Sequence, residues 1–235
     1  MPGPADARSR LAVVIPAYEA AVTVGAVIAG ARAAVPGAAV YVVDDGSTDG
    51  TGGEGRGRGA TVITHAMNRG KGVALAAGIA RALADGADVI VTVDADGQHP
   101  PELIPALAAP VLAGRSDVAL GARARGGSMP LPRRLSNWLS ARLASRIGGQ
   151  GVSDAQTGFR AFTREVAERV RPTDERYEYE TAFLLGALGT GFRVACVPIP
   201  TIYDGARSHF RSWADTWRVA RVFARYGRRI LAGAP

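Results

Sequence analysis

The chain has 235 residues, 47% of them hydrophobic, with a formal net charge of +7 and a sequence pI of about 10.3. This length suits one α/β domain with an appendage, or at most two small domains, and the apolar content is sufficient for a core. The basic charge favours an anionic partner, such as a phosphorylated substrate or an anionic membrane surface. Nucleic-acid motifs and interleaved aromatic and basic residues are absent, which argues against a nucleic-acid partner.

Localisation follows from what the sequence lacks. The single cysteine, Cys196, excludes an internal disulfide and a thiolate metal cluster. Residues 1–10 contain no apolar segment of a signal peptide. No uninterrupted apolar stretch reaches the roughly 18 residues that a membrane-spanning helix needs. We therefore expect a cytoplasmic protein, either soluble or peripheral on the inner face of the membrane.

Short apolar runs alternate with helical patterns through the first 120 residues. Strands are predicted over 11–15, 39–43, 61–64, 88–93 and 117–120, and helices over 21–34, 73–85 and 101–113. The glycine-rich run 50–59 opposes a helix by about 1 kcal/mol per glycine, so we expect a poorly ordered or fraying segment there. The alternation predicts an α/β fold with a doubly wound, mostly parallel (mixed) sheet and helices on both faces.

The second half of the chain has a less regular pattern. Helices are predicted over 132–147, 164–170 and 178–189, and a strand over 192–199. A polar loop over 153–160 leads into another short strand, and a second loop follows over 202–210.

The last predicted element is an amphipathic helix over 212–231. One face is predicted to carry Trp213, Trp217, Ala220, Ala224 and Leu231, flanked by Phe223, Gly227 and Ile230. The opposite side is predicted to carry Arg218, Arg221, Arg225, Arg228 and Arg229. A basic helix with tryptophan on its apolar face suits the membrane interface. Docking on the core with a solvated arginine face requires the same pattern, so both interpretations stay open.

Two carboxylates follow the most apolar predicted strand. Asp94 and Asp96 stand directly after a run that is apolar on both faces, as in a buried parallel strand. They would lie at the carboxyl end of the strand, where open α/β sheets bind ligands. Acids at i and i+2 point the same way and repel unless a cation or a proton relieves them. Their oxygens suit Mg²⁺ or Mn²⁺, although a turn that caps the next helix is the alternative.

Polar residues also follow the first two predicted strands. The segment from Pro16 to Glu19 and the pair Asp44-Asp45 would converge with Asp94 and Asp96 along one edge of a parallel sheet. There a carboxylate can accept hydrogen bonds from a ribose or a base edge, and Tyr18 can lie against a base. The glycine patterns of dinucleotide-binding domains and of P-loops are absent, which argues against both classes.

An ordered set of segments resembles the inverting family 2 glycosyltransferases of the GT-A fold, and especially the dolichyl- or polyprenyl-phosphate sugar synthases. The segments are Ile15-Pro16-Ala17-Tyr18-Glu19, Val42-Val43-Asp44-Asp45-Gly46-Ser47, Asn68-Arg69-Gly70-Lys71-Gly72, Asp94-Ala95-Asp96-Gly97-Gln98-His99-Pro100 and Asp154-Ala155-Gln156-Thr157-Gly158-Phe159-Arg160. The resemblance implies a single GT-A domain over 1–235. Its expected parts are a nucleotide-sugar-binding half (11–121), an acceptor half (122–210) and a basic C-terminal helix (211–231).

The resemblance also implies roles for individual residues. The nucleoside would be held by Pro16, Tyr18, Glu19 and Asp45. The metal, Mg²⁺ or Mn²⁺, would be ligated by Asp94, Asp96 and Gln98. Asp94 could also bind the ribose. The acceptor phosphate or the diphosphate would meet Arg123 and Arg133. The donor phosphates would lie under a loop that contains Arg207 and His209.

Two of these positions keep alternatives. Relatives often carry Ser-Lys where this chain has Ser208-His209, so His209 is either a ligand of the metal or phosphate or an exposed loop histidine. Lys71 either neutralises phosphate or is a solvated loop lysine.

The acceptor determines which residues the reaction needs. A polyprenyl phosphate is anionic near pH 7 and attacks without a general base, provided that cations offset repulsion from the donor diphosphate. A hydroxyl acceptor needs a base, for which Asp154 is the candidate, with a loop-capping carboxylate as its alternative. Glu178 and Glu180 are further acids on the acceptor side or on a solvated face.

The sequence therefore predicts a metal-dependent hexosyltransferase that uses a nucleotide diphosphate sugar of the GDP-mannose or UDP-glucose type. The predicted acceptor is polyprenyl or dolichyl phosphate. The alternatives are transfer to a hydroxyl of a glycan or natural product, and a non-catalytic module that binds nucleotide sugars. A sugar nucleotidyltransferase is disfavoured, because its glycine-rich signature is absent after the first strand. The sequence makes no prediction of the oligomeric state.

Overall fold

The computed structural model describes residues 10–123, 131–200 and 212–231, without the side chains of 123, 131–136, 212–217 and 228–231. The strands are β1 (Leu11–Ala17), β2 (Ala39–Asp44), β3 (Thr61–Thr64), β4 (Val89–Thr92), β5 (Val118–Arg123), β6 (Arg160–Thr163) and β7 (Val194–Ile199). The helices are α1 (Val24–Ala34), α2 (Thr51–Gly57), α3 (Lys71–Ala84), α4 (Ile104–Leu112), α5 (Leu131–Gly148), α6 (Arg164–Arg169), α7 (Glu178–Gly189) and α8 (Ser212–Leu231). A 3₁₀ turn, Pro101–Leu103, leads into α4.

The strands form one mixed sheet in the order β3-β2-β1-β4-β6-β5-β7. Every pairing is parallel except those of β6, which runs antiparallel to both β4 and β5. Because of this reversal, the first residue of β6 pairs with the last residue of β4, Arg160 with Thr92. The loop before β6 therefore meets the loop after β4 at the same edge of the sheet.

The sheet is covered on both faces, because successive strand residues point to opposite sides. In β1, Val13 and Ile15 belong to a core that includes residues of α1 and α4, whereas Ala12 and Val14 belong to a core with α3 and α7. These four side chains are at most 1% exposed. A strand that is apolar on both faces is thus the central strand of a doubly covered sheet, as the sequence predicts.

The glycine-rich segment is helical, so the prediction of a poorly ordered segment over 50–59 is wrong. The helix α2 packs too closely on the sheet for side chains at two positions. A Cβ at Gly52 would lie 2.5 Å from Asp44 Oδ2, and one at Gly55 would lie 3.0 Å from Val62 Cγ2. At the start of the helix, Asp49 accepts a hydrogen bond of 3.0 Å from the backbone N–H of Thr51. Tertiary packing and this hydrogen bond outweigh the poor intrinsic helix propensity of glycine.

The face of α8 that contacts the core differs from the predicted one. Val219, Val222 and Phe223 are buried, whereas Ala220 and Ala224 are exposed. The side chains of Trp213, Trp217, Arg228, Arg229, Ile230 and Leu231 lie outside the described residues. In its described part, α8 is therefore docked on the core.

An ion pair also joins α8 to the loop before α7, since Arg225 Nη2 lies 2.5 Å from Asp174 Oδ1. Within the ranges that the structure describes, no helix combines the length and the apolar character needed to cross a bilayer.

Candidate functional site

The first element of the site is the turn after β4. Gly97 takes a left-handed conformation, with φ 74°, and Asp96 Oδ1 accepts a hydrogen bond of 3.0 Å from the N–H of Gln98. Loss of water around the carboxyl raises the pKa of Asp96, and the nearby charge of Asp94 raises it further. The two carboxylates thus form a like-charged pair at the carboxyl edge of the sheet.

The second element is the loop before β6, which lies directly against Asp94. A Cβ at Gly158 would fall 2.5 Å from Asp94 Oδ1 and 2.6 Å from Oδ2, so only glycine leaves room for this carboxylate. Thr92 fixes the same loop, because its hydroxyl donates a hydrogen bond of 2.8 Å to the carbonyl oxygen of Gly158. The antiparallel strand β6 thereby brings a segment of the second half of the chain to the Asp94 carboxylate.

The third element is Lys71, the first residue of α3. Its Nζ lies 2.7 Å from Asp94 Oδ1 and 2.6 Å from Glu180 Oε1. The Lys71 side chain is 18% exposed, so little water competes for its charge. Burial lowers the pKa of the ammonium, but the charges of Asp94 and Glu180 outweigh this and raise the pKa. Lys71 is therefore a charged bridge between two carboxylates, and the alternative of a solvated loop lysine is wrong.

Glu180 belongs to a buried polar network on α7. Burial raises the pKa of its carboxyl, whereas the charge of Lys71 lowers it. Beside it, the buried guanidinium of Arg160 donates to the backbone carbonyls of Thr157, Ala155 and Glu180. Burial lowers the pKa of Arg160, although an arginine stays protonated in proteins. The network fixes the loop before β6 relative to α7.

A loop ahead of α7 closes over the first turn of α3. The carbonyl oxygen of Glu175 accepts hydrogen bonds from the N–H groups of Gly72, at 2.8 Å, and Val73, at 3.3 Å. A Cβ at Gly70 would lie 2.5 Å from that same oxygen, which explains a glycine beside the lysine. Lys71 Nζ also lies 5.7 Å from the centroid of the Tyr177 ring. Lys71 is thus enclosed by residues that are distant in sequence.

The predicted nucleoside-binding residues lie around the ends of β1 and β2. Glu19 has φ 50°, and its Oε1 accepts hydrogen bonds of 2.8 and 3.1 Å from the N–H and hydroxyl of Thr48. Pro16 is buried within β1, and Tyr18, two residues further on, is 41% exposed. Glu19 therefore joins the two strand-end loops, and Tyr18 presents a ring to solvent beside them.

Asp45 is buried and organises the loop that leads to Lys71. Its Oδ1 lies 2.7 Å from His65 Nδ1, and its Oδ2 accepts hydrogen bonds from the N–H groups of Arg69, at 3.1 Å, and Gly70, at 2.7 Å. These contacts place Asp45 beneath the loop that positions α3. In this conformation both hydrogen-bonded N–H groups belong to the loop that leads to Lys71.

Asp154 lies deep beneath the site. Asp154 is 0% exposed, and its Oδ1 accepts a hydrogen bond of 3.1 Å from the N–H of Gln156. A general base must come within hydrogen-bond reach of the proton that it removes. In this conformation Asp154 shapes the loop that contains Gly158 and faces no solvent.

An exposed apolar face lies on α5. Trp138, Leu139 and Leu143 are 44%, 49% and 37% exposed, and the guanidinium of Arg142 lies 5.8 Å from the Trp138 ring centroid. The buried side of the same helix contacts the site, because Gln156 Nε2 donates a hydrogen bond of 3.2 Å to the Ser140 hydroxyl. One helix therefore contacts the loop beside Asp94 and presents an apolar, basic face to solvent.

Several predicted site residues fall outside this description. Arg123 ends β5 and Arg133 lies in the first turn of α5, but their side chains are outside the described residues. Arg207 and His209 lie outside the described residues altogether. The structure thus brings Lys71, Asp94, Asp96 and Gln98 to one place. The side-chain geometry of the two arginines and of the loop with Arg207 and His209 lies outside the described residues.

The donor set at the strand end suits a hard divalent cation. No cluster of three or more His, Cys, Asp or Glu side chains able to hold a metal occurs in the part of the chain that is described. Mg²⁺ is commonly bound by one or two carboxylates together with water and substrate phosphates. The like-charged pair of Asp94 and Asp96, with the raised pKa of Asp96, fits that requirement.

Glu180 does not lie on a solvated face, which was one of the two positions predicted for it. The residue is 5% exposed and pairs with Lys71. The sequence contains an indication of this burial, because the residues after Glu180, Thr181 to Leu185, give α7 no polar face. All five of these residues are buried in the structure. A helix that is apolar all round is a buried helix, so a carboxylate within it requires a buried cation.

Comparison with known proteins identifies the family. The model of a family described as Glycosyl transferase family 2 matches residues 12–171. An uncharacterised protein of Methanocaldococcus jannaschii is 38% identical over 170 residues, which cover 70% of either chain. The dolichyl-phosphate hexose transferase of Haloferax volcanii is 36% identical, with 81% of this chain and 82% of that protein covered. The polyprenol monophosphomannose synthase of Mycolicibacterium smegmatis is 35% identical, with 81% and 76% covered.

A solved structure shares the fold. Glucosyl-3-phosphoglycerate synthase from Mycobacterium tuberculosis, in complex with Mn²⁺, uridine diphosphate and phosphoglyceric acid, superposes with a TM-score of 0.77. It is 23% identical to this chain, and the match covers 97% of this chain and 80% of that one. The predicted GT-A α/β fold, with its mixed sheet, is confirmed.

Proposed function

Because the chain belongs to glycosyl transferase family 2, we propose that this hexosyltransferase moves a sugar from a nucleotide diphosphate sugar to a polyprenyl or dolichyl phosphate. A phosphate oxygen of the acceptor attacks the anomeric carbon, the bond to the donor diphosphate breaks, and the configuration inverts. The named relatives support the acceptor, since one is a polyprenol monophosphomannose synthase and another a dolichyl-phosphate hexose transferase.

The donor site of this proposal is the carboxyl edge of β1, β2 and β4. Tyr18, which is 41% exposed, offers a ring for the base, and Pro16, Glu19 and Asp45 shape the pocket around the nucleoside. Lys71 lies beside Asp94 and supplies a positive charge to the donor phosphates. The donor is of the GDP-mannose or UDP-glucose type.

The metal site of this proposal consists of Asp94, Asp96 and Gln98. A bound Mg²⁺ or Mn²⁺ would neutralise the diphosphate oxygens and stabilise the departing nucleoside diphosphate. The two carboxylates repel each other without a cation, which supports this assignment.

The observation that carries the lipid acceptor is the exposed face of α5. Trp138, Leu139 and Leu143 form an apolar surface on which Arg142 and Arg146 are also exposed. A helix with this composition suits the interface of an anionic membrane. Its other side reaches the loop that contacts Asp94, so a membrane-held acceptor would arrive next to the donor site.

The burial of Asp154 supports a phosphate acceptor over a hydroxyl acceptor. A phosphate is already anionic and needs no base, whereas a hydroxyl must lose a proton. Asp154, the candidate base, is 0% exposed and would have to leave its turn to reach a hydroxyl. Arg123, Arg133 and Arg207 are the proposed cationic partners of the phosphates, and His209 is a proposed ligand of the metal or of a phosphate.

The test is incubation with GDP-mannose or UDP-glucose, Mg²⁺ or Mn²⁺, and a short polyprenyl phosphate, followed by mass spectrometry. We expect a polyprenyl-phosphate hexose, with no product when EDTA replaces the metal. Asp96→Asn serves as the inactive control. A product with glycan hydroxyls and none with the phosphate would refute the lipid acceptor. Binding of nucleotide sugar without any product would indicate the non-catalytic module instead.

A further inference from the structure

One oxygen of the Asp94 carboxylate is in contact with the ammonium of Lys71. The ammonium of Lys71 lies 2.7 Å from Asp94 Oδ1, and Asp94 is one of the proposed metal ligands. An ammonium and a divalent metal both neutralise a carboxylate, but one oxygen cannot hold both cations at these distances without strong repulsion. A metal bound through the other oxygen, Oδ2, would still lie close to the ammonium and be repelled by it, so binding at Asp94 is favoured when Lys71 withdraws.

Glu180 provides a second place for the displaced ammonium. Its Oε1 lies 2.6 Å from Lys71 Nζ, and its side chain is 6% exposed. A buried ammonium that loses its only partner destabilises the fold strongly, whereas one that keeps a carboxylate partner does not. Lys71 can thus leave Asp94 and stay paired. The carbonyl of Glu175 and the ring of Tyr177 limit how far the first turn of α3 can move.

We propose that Lys71 is a built-in counter-ion that competes with the divalent metal for Asp94, and that Glu180 is the positioning residue that retains the ammonium when the metal binds. The inference rests on the metal-dependent transfer proposed above. The metal alone then binds weakly, because it competes with Lys71 for Asp94. When the donor arrives, its diphosphate offers the displaced ammonium a new anionic partner.

The test measures the binding of Mn²⁺ alone, without nucleotide. The electron paramagnetic resonance signal of free Mn²⁺ reports how much of the metal remains unbound. Lys71→Met should tighten Mn²⁺ binding by about tenfold or more, since a positive charge beside the site is lost. Glu180→Gln should weaken it by about threefold or more, since Lys71 then has only Asp94 as a partner. The charge-matched controls are Arg169→Met and Glu165→Gln, which remove the members of an exposed pair on α6 and should change binding little.

A double variant separates positioning from simple charge effects. In Lys71→Met, the further change Glu180→Gln should have no effect on Mn²⁺ affinity, because Glu180 acts through the lysine. The same loss in both backgrounds would overturn the positioning role of Glu180. Unchanged or weaker Mn²⁺ binding by Lys71→Met would overturn the counter-ion role.

Folding and turnover are measured separately. Circular dichroism and thermal melting establish that each variant folds, and Lys71→Gln, a neutral hydrogen-bond donor, replaces Lys71→Met if the latter does not. Sugar transfer is assayed with the full chain. A protein that shows the expected pattern of Mn²⁺ affinities but transfers no sugar supports the counter-ion and refutes only the proposed function.

Discussion

Gly158 and Asp94 are in contact across the reversed strand pairing, with no room for a side chain between them. A Cβ at Gly158 would lie 2.5 Å from Asp94 Oδ1, closer than real Cβ atoms come to a non-bonded neighbour. The position of this carboxylate is thus determined by a glycine that is remote in sequence.

The substitution Gly158→Ala should displace the Asp94 carboxylate. We expect turnover to fall by about tenfold to a hundredfold, because small displacements of a positioned group are costly in catalysis. Steady-state kinetics and the melting temperature check this. The control is Gly53→Ala, where a Cβ meets nothing within 4 Å, and which should raise stability by about 0.5–1 kcal/mol without changing turnover. Wild-type turnover in Gly158→Ala would contradict the role of Asp94.

The substitution Asp96→Asn should raise the melting temperature in metal-free buffer at neutral pH. The pKa of Asp96 is raised in the folded state, so its ionised form destabilises the fold above that pKa. The gain should shrink as the pH falls through the raised pKa and vanish below the ordinary value for an aspartate. Thermal melts from pH 8 to about pH 3, which is below the ordinary aspartate pKa of about 3.9, measure it.

A matched substitution, Asp85→Asn, should change the melting temperature in the opposite direction. Hydrogen bonds from Tyr41 and Arg81 lower the pKa of Asp85, so Asp85→Asn should lower the melting temperature at neutral pH. That loss should shrink below the ordinary pKa of an aspartate and disappear as the pH falls through the lowered pKa of Asp85. A fall in melting temperature for Asp96→Asn at neutral pH would contradict the repulsion within the carboxylate pair.

The substitution Asp45→Asn should destabilise the protein by about 2 kcal/mol, because a buried carboxylate accepts hydrogen bonds from two backbone N–H groups. Urea unfolding measures the change. Asp117→Asn, which disrupts a partly exposed pair with Arg193, is the control and should cost less. If Asp45→Asn left stability intact and removed nucleotide binding, Asp45 would contact the nucleoside directly.

The substitution Leu139→Glu should weaken association with anionic vesicles by several-fold, since it removes apolar area and adds a repelled charge to the exposed face of α5. Co-sedimentation with vesicles of phosphatidylglycerol measures the association. Leu112→Glu is the control, because Leu112 on α4 is 47% exposed and lies outside this face. Equal losses in both variants would show that the α5 face has no special role.

Much of the donor side is predictable from local sequence. A strand that is apolar on both faces must be central, so Asp94 and Asp96 must lie at the carboxyl edge of a covered sheet. That reasoning needs only neighbouring residues and the general rule for parallel sheets. The GT-A fold and the family follow from the ordered motifs.

The remaining features depend on contacts between residues that are distant in the sequence. The packing of α2 against Asp44 and Val62 overrides the low helix propensity of glycine. The periodic pattern of α8 predicts an amphipathic helix but does not determine which of its sides contacts the core. The pairing of Lys71 with Glu180 joins residues more than 100 positions apart, and a single sequence shows the two charges without showing that they meet.

The antiparallel strand β6 also limits how this architecture can be divided. It follows the Asp154 loop in the chain, yet it lies between β4 and β5, which precede it. A fragment that ends after β5 would leave two strands with exposed edges, and such edges promote aggregation. Chimeras that exchange the predicted acceptor half (122–210) between relatives must therefore exchange an interior strand as well. The exchanged strand contributes Phe162 to the same core as its pairing partner Ile90, so the new side chains must pack against β4.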